Sequence, residues 1–277
     1  MYTAYPIDCA AEDVDVLIAL LADTGFDSFE ETETGVTAYG LREQLERDTA
    51  TLRSLQDRFA FTYYSEHLEE KNWNAIWESG FQPIRIDDRL SLRATFHPPV
   101  PEVKYDLVID PKMSFGTGHH ATTYMMCELL LEHFPAHPAP GQRVLDYGCG
   151  TGVLGILAKR LGADQVDAVD IEPWAIENSR ENAATNHVIF DRLVVGTLDE
   201  ILTGMPYDLV LANINRNVLL ASAEALSGNT RPGGRVYASG ILLQDADSVI
   251  DRYRRAGFAH LRTVAREDWR ALEFIRE

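Results

Sequence analysis

From Gln142 onward, short apolar runs alternate with longer stretches whose apolar residues recur every three or four positions. RVLDY (143–147) is followed by GVLGILAKRLG, and QVDAVD (165–170) by PWAIENSRENAATN. RLVVG (192–196) is followed by LDEIL, YDLVLAN (207–213) by NVLLASAEALSG, and GGRVYASG (233–240) by QDADSVIDRYRRAG. Continuous apolar runs mark strands buried on both faces, and three-to-four spacing marks helices with one apolar face. The alternation predicts a parallel sheet with helices on both sides. HLRTVARE (260–267) and WRALEFIRE (269–277) follow with almost no connection, so they are expected to pair as an antiparallel hairpin at one sheet edge.

The first 70 residues read differently. MYTAYPIDC is strand-like, and AAEDVDVLIALLADTG has helical spacing with Gly25 as a stop. FDSFEE and GVTAYG predict a hairpin turning near Thr34-Gly35, LREQLERDTATLRSLQDRF a second helix, and FAFTYYSE a further strand. The order β-α-β-β-α-β predicts a small ferredoxin-like α+β domain over residues 1–70. Residues 71–110 read as a bridge. KNWNAIWESG places Trp73 and Trp77 on one helical face, where packing is their simplest role. FQPIRIDDRLSLRATFH predicts a short hairpin, and HPPVPEV a semi-rigid spacer. The run YDLVID (105–110) looks like a buried strand, and residues 111–277 are assigned to the larger domain.

Composition is that of an ordinary globular chain, with 45% hydrophobic and 25% charged residues. No apolar run approaches the ~18 residues of a membrane span. The opening MYTAYPIDCAAEDVDV lacks a basic and an apolar region, so no secretory signal is expected. The three cysteines are far apart and form no CxxC pair, which supports neither a disulfide framework nor a zinc knuckle. A reducing cytoplasm is the expected compartment. The net charge of −18 is uneven: residues 1–70 hold 16 acidic side chains against four arginines, a net of −12. That charge solubilises, and it also suits a basic partner. It argues against direct nucleic-acid binding by this segment, because phosphates need a basic face.

The candidate chemistry lies at strand ends. LDYGCGTGVLG carries Gly148, Gly150 and Gly152 between a predicted strand and a predicted helix, where glycines permit a sharp turn and close ligand approach. The spacing is G-x-G-x-G, not the G-x-G-x-x-G of the dinucleotide fingerprint. Asp170 ends the next predicted strand, 22 residues after Gly148, where a carboxylate can accept both hydroxyls of a ribose. The alternative role is a cap on the following helix. The glycine spacing and the two closing strands favour S-adenosyl-L-methionine as the nucleoside ligand, with a nicotinamide dehydrogenase as the alternative. YDLVLANINRN places Asn213, Asn215 and Asn217 at the end of the fourth strand of this region. Methyl transfer to a lysine amine needs acceptors that hold the amine hydrogens and aim its lone pair. Asn213 and the carbonyl of Ile214 are the expected catalytic pair, against a capping role for the asparagine.

The stretch PKMSFGTGHHATT (111–123) first invites a metal reading, through His119 and His120. Adjacent histidines rarely point at one centre, and no cysteine or carboxylate stands at ligand spacing, so no metal is expected. The better reading is a lid-like loop followed by a helix, HHATTYMMCELLLEHF.

Taken together, MSFGTGHHATT, VLDYGCGTGVLGILAKRLGA, VDIEPWAIENSRENAATN, LVLANI and GGRVYASGIL resemble the PrmA-type methyltransferases, which modify large-subunit ribosomal protein eleven. The resemblance runs from about Trp73 to the C-terminus and is most specific in FGTGHHATT. It implies a class I, Rossmann-like sheet of seven strands. It also implies S-adenosylmethionine-dependent methylation of lysine side chains and of an N-terminal amine, with the small N-terminal domain recognising the ribosomal protein. It places cofactor contacts at Thr123, Gly148, Asp170 and Asn213, and sets Phe115, Gly116, Thr117 and Gly118 along the cofactor and substrate side. Asn215 departs from the family, which usually has an apolar residue there. Similar domains methylate a mitochondrial flavoprotein subunit, so another protein substrate is the alternative. A monomer acting on a basic ribosomal protein, away from membranes, is the expected state.

Overall fold

The structure is a computed structural model that describes residues 2–22, 24, 26–41, 52–56, 58–67, 82–110, 112, 114–137, 141–202 and 204–277. The chain forms two compact units, Met1–Phe81 and Gln82–Glu277.

In the first unit, β1 (Tyr2–Asp8), β2 (Phe26–Thr32), β3 (Gly35–Leu41) and β4 (Thr62–Tyr63) form a sheet in the order β2-β3-β1-β4, and β5 (Glu66–His67) also pairs with β1. Helix α1 (Val14–Ala22) buries Val14, Leu17 and Leu21, the residues its three-to-four spacing puts on one face. They pack on Ile7, Val36 and Ala38, with Leu52 and Leu55 from a helical run over residues 52–56. The strand expected over FAFTYYSE is split into β4 and β5. Gly25, most of the second expected helix, and the Trp73 and Trp77 segment lie outside the described residues.

The bridge expected over 71–110 ends sooner, because residues 82–110 belong to the second unit. Strands β6 (Ile84–Ile86) and β7 (Leu90–Arg93) form the expected hairpin, and β8 (Tyr105–Val108) pairs parallel to β7. Ile86, Leu90, Leu92 and Leu107 are buried in one core with Met125, Met126 and Leu130 of helix α2 (Ala121–Ala136). Burying those side chains ties the segment to the larger unit. The proline-rich HPPVPEV is therefore the connection from β7 to β8, not a spacer between units.

The main sheet has seven strands: β9 (Arg143–Tyr147), β10 (Gln165–Asp170), β11 (Arg192–Val195), β12 (Tyr207–Asn213), β13 (Thr230–Leu242), β14 (Phe258–Arg266) and β15 (Trp269–Arg276). Their order is β11-β10-β9-β12-β13-β15-β14. The first five strands run parallel, and β15 runs antiparallel to both β13 and β14. The final hairpin thus forms as expected, with β15 inserted between β13 and the edge strand β14. Side chains alternate across the sheet. Val144, Leu209 and Leu211 face α2 and α3 (Val153–Leu161), while Leu145, Val210 and Ala212 face α6 (Arg216–Asn229) and α7 (Ala246–Arg255). α4 (Pro173–Thr185) and the short α5 (Leu198–Ile201) complete the connections. Among the described residues no helix is long and apolar enough to cross a membrane.

Beyond β8 the chain is held by a ladder of asparagines spaced four apart along α4 and its C-cap. Asn186 accepts from the Val108 amide and donates to the Val108 carbonyl. Asn182 accepts from the Asp110 amide at 3.0 Å and donates to the Thr151 carbonyl at 3.0 Å, and Asn178 donates to the Asp110 carbonyl. All three are buried. They pair the backbone as a neighbouring strand would, which buried peptide groups require. They also tie the path towards residue 114 to the glycine loop.

Candidate active site

The strand order reverses between β9 and β12, so a crevice opens at the carboxyl ends of the strands, where open α/β sheets bind ligands. A cavity of about 380 Å³ lies there. Phe115, Gly148, Gly150, Asp170, Asn213 and Ile214 all line it, although they come from four separate stretches of chain.

The glycine loop turns from β9 into α3. Gly150 has φ of +55°, and a Cβ there would sit 2.2 Å from the Phe115 carbonyl oxygen. Only glycine allows the two loops to approach this closely. The Thr151 amide donates to the Phe115 carbonyl at 2.9 Å, and the Thr151 hydroxyl donates to the Gly116 carbonyl at 2.7 Å. Gly116 therefore anchors the loop, and Thr117 Oγ1 pairs with His119 Nδ1. Neither Gly116 nor Thr117 lines the cavity.

Asp170 ends β10. Its Oδ2 accepts from the Gly150 amide at 2.9 Å and its Oδ1 from the Glu172 amide at 3.0 Å. The N-cap of α4 is Glu172, so Asp170 is not the helix cap. A carboxylate oxygen can accept more than one hydrogen bond, so each oxygen keeps acceptor capacity on the cavity side. Asp146 lies deeper. It is fully buried, accepts from the Gly155 amide at 2.8 Å, and burial pushes its carboxyl up to about 7.

Asn213 ends β12. Its Nδ2 donates to Thr123 Oγ1 at 3.2 Å. Its Oδ1 is buried and has no hydrogen-bond partner among the described residues. A buried acceptor without a partner is costly, and in a binding cavity it marks where a donor belongs. Thr123 is in the first turn of α2, as expected, but it is fully buried and does not line the cavity. Gly240 has φ of +88°, and a Cβ there would lie 2.3 Å from the Ile214 carbonyl oxygen, so the β13 backbone shapes the Ile214 peptide. Asn215, the departure from the family, is the N-cap of α6, its Oδ1 accepting from the Val218 amide at 3.1 Å.

The two histidines have other partners. His119 Nε2 lies 2.8 Å from the Gln82 carbonyl. His120 caps α2 by accepting from the Thr122 amide, and its ring packs between Phe115 and Trp269. Burial pushes the His120 imidazole below its ordinary range. Among the described residues no three His, Cys, Asp or Glu are grouped to hold a metal ion.

Ile171 and Trp174, which the sequence did not mark as site residues, line the cavity at 65% and 55% exposure. Both are apolar and lie in a predicted turn and helix, where they resemble core residues. One signal was present. The buried face of α4 runs through Ala175, Ile176, Ser179 and Ala183, and Trp174 falls off that face.

A parallel sheet closed by one reversed strand, with a glycine turn and a strand-end acid meeting at its switch point, defines a class I methyltransferase, an enzyme that takes its methyl group from S-adenosylmethionine. Residues 14–277 match the family model described as ribosomal protein L11 methyltransferase (PrmA). A ribosomal protein L11 methyltransferase of Phocaeicola vulgatus is 36% identical over 280 residues, covering 99% of this chain and 97% of the relative. One from Porphyromonas gingivalis is 40% identical, covering 94% and 90%. The crystal structure of a ribosomal protein L11 methylase from Lactobacillus delbrueckii subsp. bulgaricus superposes with a TM-score of 0.63 at 27% identity, covering 71% of this chain and all of that one. The chain belongs to the ribosomal protein L11 methyltransferase family. This membership does not favour the dehydrogenase alternative.

Proposed function

We propose that the chain methylates lysine side chains, and the N-terminal amine, of ribosomal protein L11, with Asn213 and Ile214 aligning the amine. The observation that carries this reading is that Asn213 and Ile214 line the crevice together, and that Asn213 Oδ1 is buried with no hydrogen-bond partner among the described residues.

The cavity suits the cofactor. Its size falls in the usual range for small-molecule sites. Asp170 keeps acceptor capacity for the ribose hydroxyls, Ile171 and Trp174 offer an apolar wall to the purine, and the Gly148–Gly150 backbone leaves room for the amino-acid end. Bound there, S-adenosylmethionine supplies an electrophilic methyl on a sulfonium.

The residues of this chain prepare the nucleophile. A lysine has an unperturbed pKa of about 10.4, so its amine must lose a proton before it can attack. The apolar surface of Phe115 and Ile214 disfavours the charged ammonium and lowers that pKa. Asn213 Oδ1 and the Ile214 carbonyl then accept the amine hydrogens and aim the lone pair into the cavity. The proton leaves to solvent, and no dedicated base is needed.

The N-terminal α+β unit is assigned to substrate recognition. Its strand order β2-β3-β1-β4 supports the expected ferredoxin-like sandwich. Its net charge, and the exposed Asp27, Glu30 and Glu31 on β2, suit a basic protein such as a ribosomal one. A cytoplasmic monomer is the form in which we expect it to act. Asn213→Ala tests the core of the proposal. Turnover is expected to fall about 10²-fold, the scale for losing one preorganised polar group, while cofactor Kd changes by less than about threefold. Equal losses in both would make Asn213 a cofactor contact only.

A further inference from the structure

Phe115 lines the crevice with 53% of its surface exposed, so its position depends on the backbone that carries it and on the His120 ring beside it. That backbone is held at two points. At the later point, the Thr151 amide donates to the Phe115 carbonyl at 2.9 Å and the Thr151 hydroxyl to the Gly116 carbonyl at 2.7 Å. At the earlier point, Asn182 Oδ1 accepts from the Asp110 amide at 3.0 Å. The same side chain donates from Nδ2 to the Thr151 carbonyl, also at 3.0 Å. One carboxamide therefore joins the two points. A backbone N–H can only donate and a backbone carbonyl can only accept, so both ends of the Asn182 amide are fixed by their partners. Asn182 and Thr151 are buried, so water does not readily replace the bridge.

The glycine loop keeps its own shape by other bonds. The Gly150 amide donates to Asp170 Oδ2 at 2.9 Å, and the Gly150 carbonyl accepts from the Ser179 hydroxyl at 2.9 Å. The Gly148 and Cys149 amides both donate to the Val169 carbonyl. Among the described residues, Asn182 alone ties the glycine loop to Asp110 by a hydrogen bond. We propose that Asn182 is a positioning residue for the transfer step. By bridging Asp110 and Thr151 it sets where Phe115 stands over the crevice, and it acts on capture and alignment of the substrate amine rather than on cofactor binding. This inference rests on the methyl transfer proposed above.

The test compares Asn182→Ala with Asn186→Ala. Asn186 is the control because its side chain reaches the Val108 backbone and the Asn182 carbonyl, but no residue of the glycine loop. Thermal unfolding gives stability, calorimetric titration with S-adenosylhomocysteine gives cofactor affinity, and transfer to unmodified ribosomal protein L11 gives kcat/KM. Amide hydrogen exchange at Thr151, read against Gly150, reports the bridge itself. Both variants are expected to unfold at lower temperature, since each leaves buried backbone groups unpaired. Only Asn182→Ala is expected to lose kcat/KM, by roughly 10- to 100-fold, the scale for a misplaced aligning group. Asn186→Ala should stay within about twofold, and cofactor Kd within about threefold in both. Thr151 exchange should rise roughly tenfold relative to Gly150 in Asn182→Ala and not in Asn186→Ala. Parental kcat/KM in folded Asn182→Ala protein, an equal loss in Asn186→Ala, a matching loss of cofactor affinity, or unchanged Thr151 exchange would overturn the proposal. If the parent itself transfers no methyl group to L11, the proposed function fails, and Thr151 exchange alone decides the bridge.

Discussion

Replacing Asp170 with alanine removes a carboxylate whose two oxygens already accept the Gly150 and Glu172 amides at 2.9 and 3.0 Å. The capacity left on each oxygen is one hydrogen bond towards the cavity, enough for the two hydroxyls of a ribose. A hydrogen bond to a charged group contributes about 1.5–3 kcal/mol. Water can reach the partly exposed site and re-solvate freed hydroxyls, so the lower figure applies to each bond. Two such bonds sum to about 3 kcal/mol, or roughly 10²-fold in Kd. Asp170→Asn keeps one oxygen, so its loss should be about tenfold. Calorimetric titration with S-adenosylhomocysteine measures both, and thermal unfolding confirms that the variants fold. A change below about threefold for Asp170→Ala would refute the ribose assignment, since it is smaller than one charged hydrogen bond.

The fold holds two buried titratable groups with opposite effects on stability. Burial pushes Asp146 up to about 7, so from about pH 4 to pH 7 the folded chain keeps a proton the unfolded chain has lost, and stability falls as pH rises. Burial pushes His133 down to about 4, so from about pH 4 to pH 6.5 the unfolded chain holds the extra proton, and stability rises with pH. Urea unfolding across this range should show Asp146→Asn gaining up to roughly 1.4 kcal/mol per pH unit in slope relative to the parent, and His133→Gln losing as much. A variant with the parent's slope would exclude its group as a contributor. Gly240→Ala puts a Cβ 2.3 Å from the Ile214 oxygen at a left-handed φ, so stability should drop by at least about 1 kcal/mol and turnover should fall with it. Parental turnover in a folded Gly240→Ala protein would show that the Ile214 carbonyl does not take part.

The sheet of the larger unit was legible because its strands are buried on both faces and read as unbroken apolar runs, while its helices keep one apolar stripe. Gly150 and Asp170 were legible for a related reason. Backbone approach and strand-end carboxylates leave a residue type at a fixed spacing. The segment 82–110 was not, because strands of three and four residues carry little periodicity and the prolines of HPPVPEV imitate a linker. Its attachment shows in the core that Leu92 and Leu107 share with Met126. The asparagine ladder was hidden in the same way. Asn182 and Asn186 look like the polar face of an amphipathic helix, and their partners are backbone groups more than 70 residues away. Asn215, the departure from the family, caps α6 through its Oδ1 and also lines the cavity, a double role that the sequence alone does not show.

The proposed activity of this chain is methyl transfer onto amines of ribosomal protein L11. Intact-mass and peptide mass spectrometry of unmodified ribosomal protein L11, incubated with the enzyme and S-adenosylmethionine, tests it directly. Mass gains in whole methyl units, mapped to lysine side chains or the N-terminal amine, are expected, with almost none for Asn213→Ala. An unchanged L11 mass with active, cofactor-bound enzyme, or methylation mapped to groups other than amines, would contradict it.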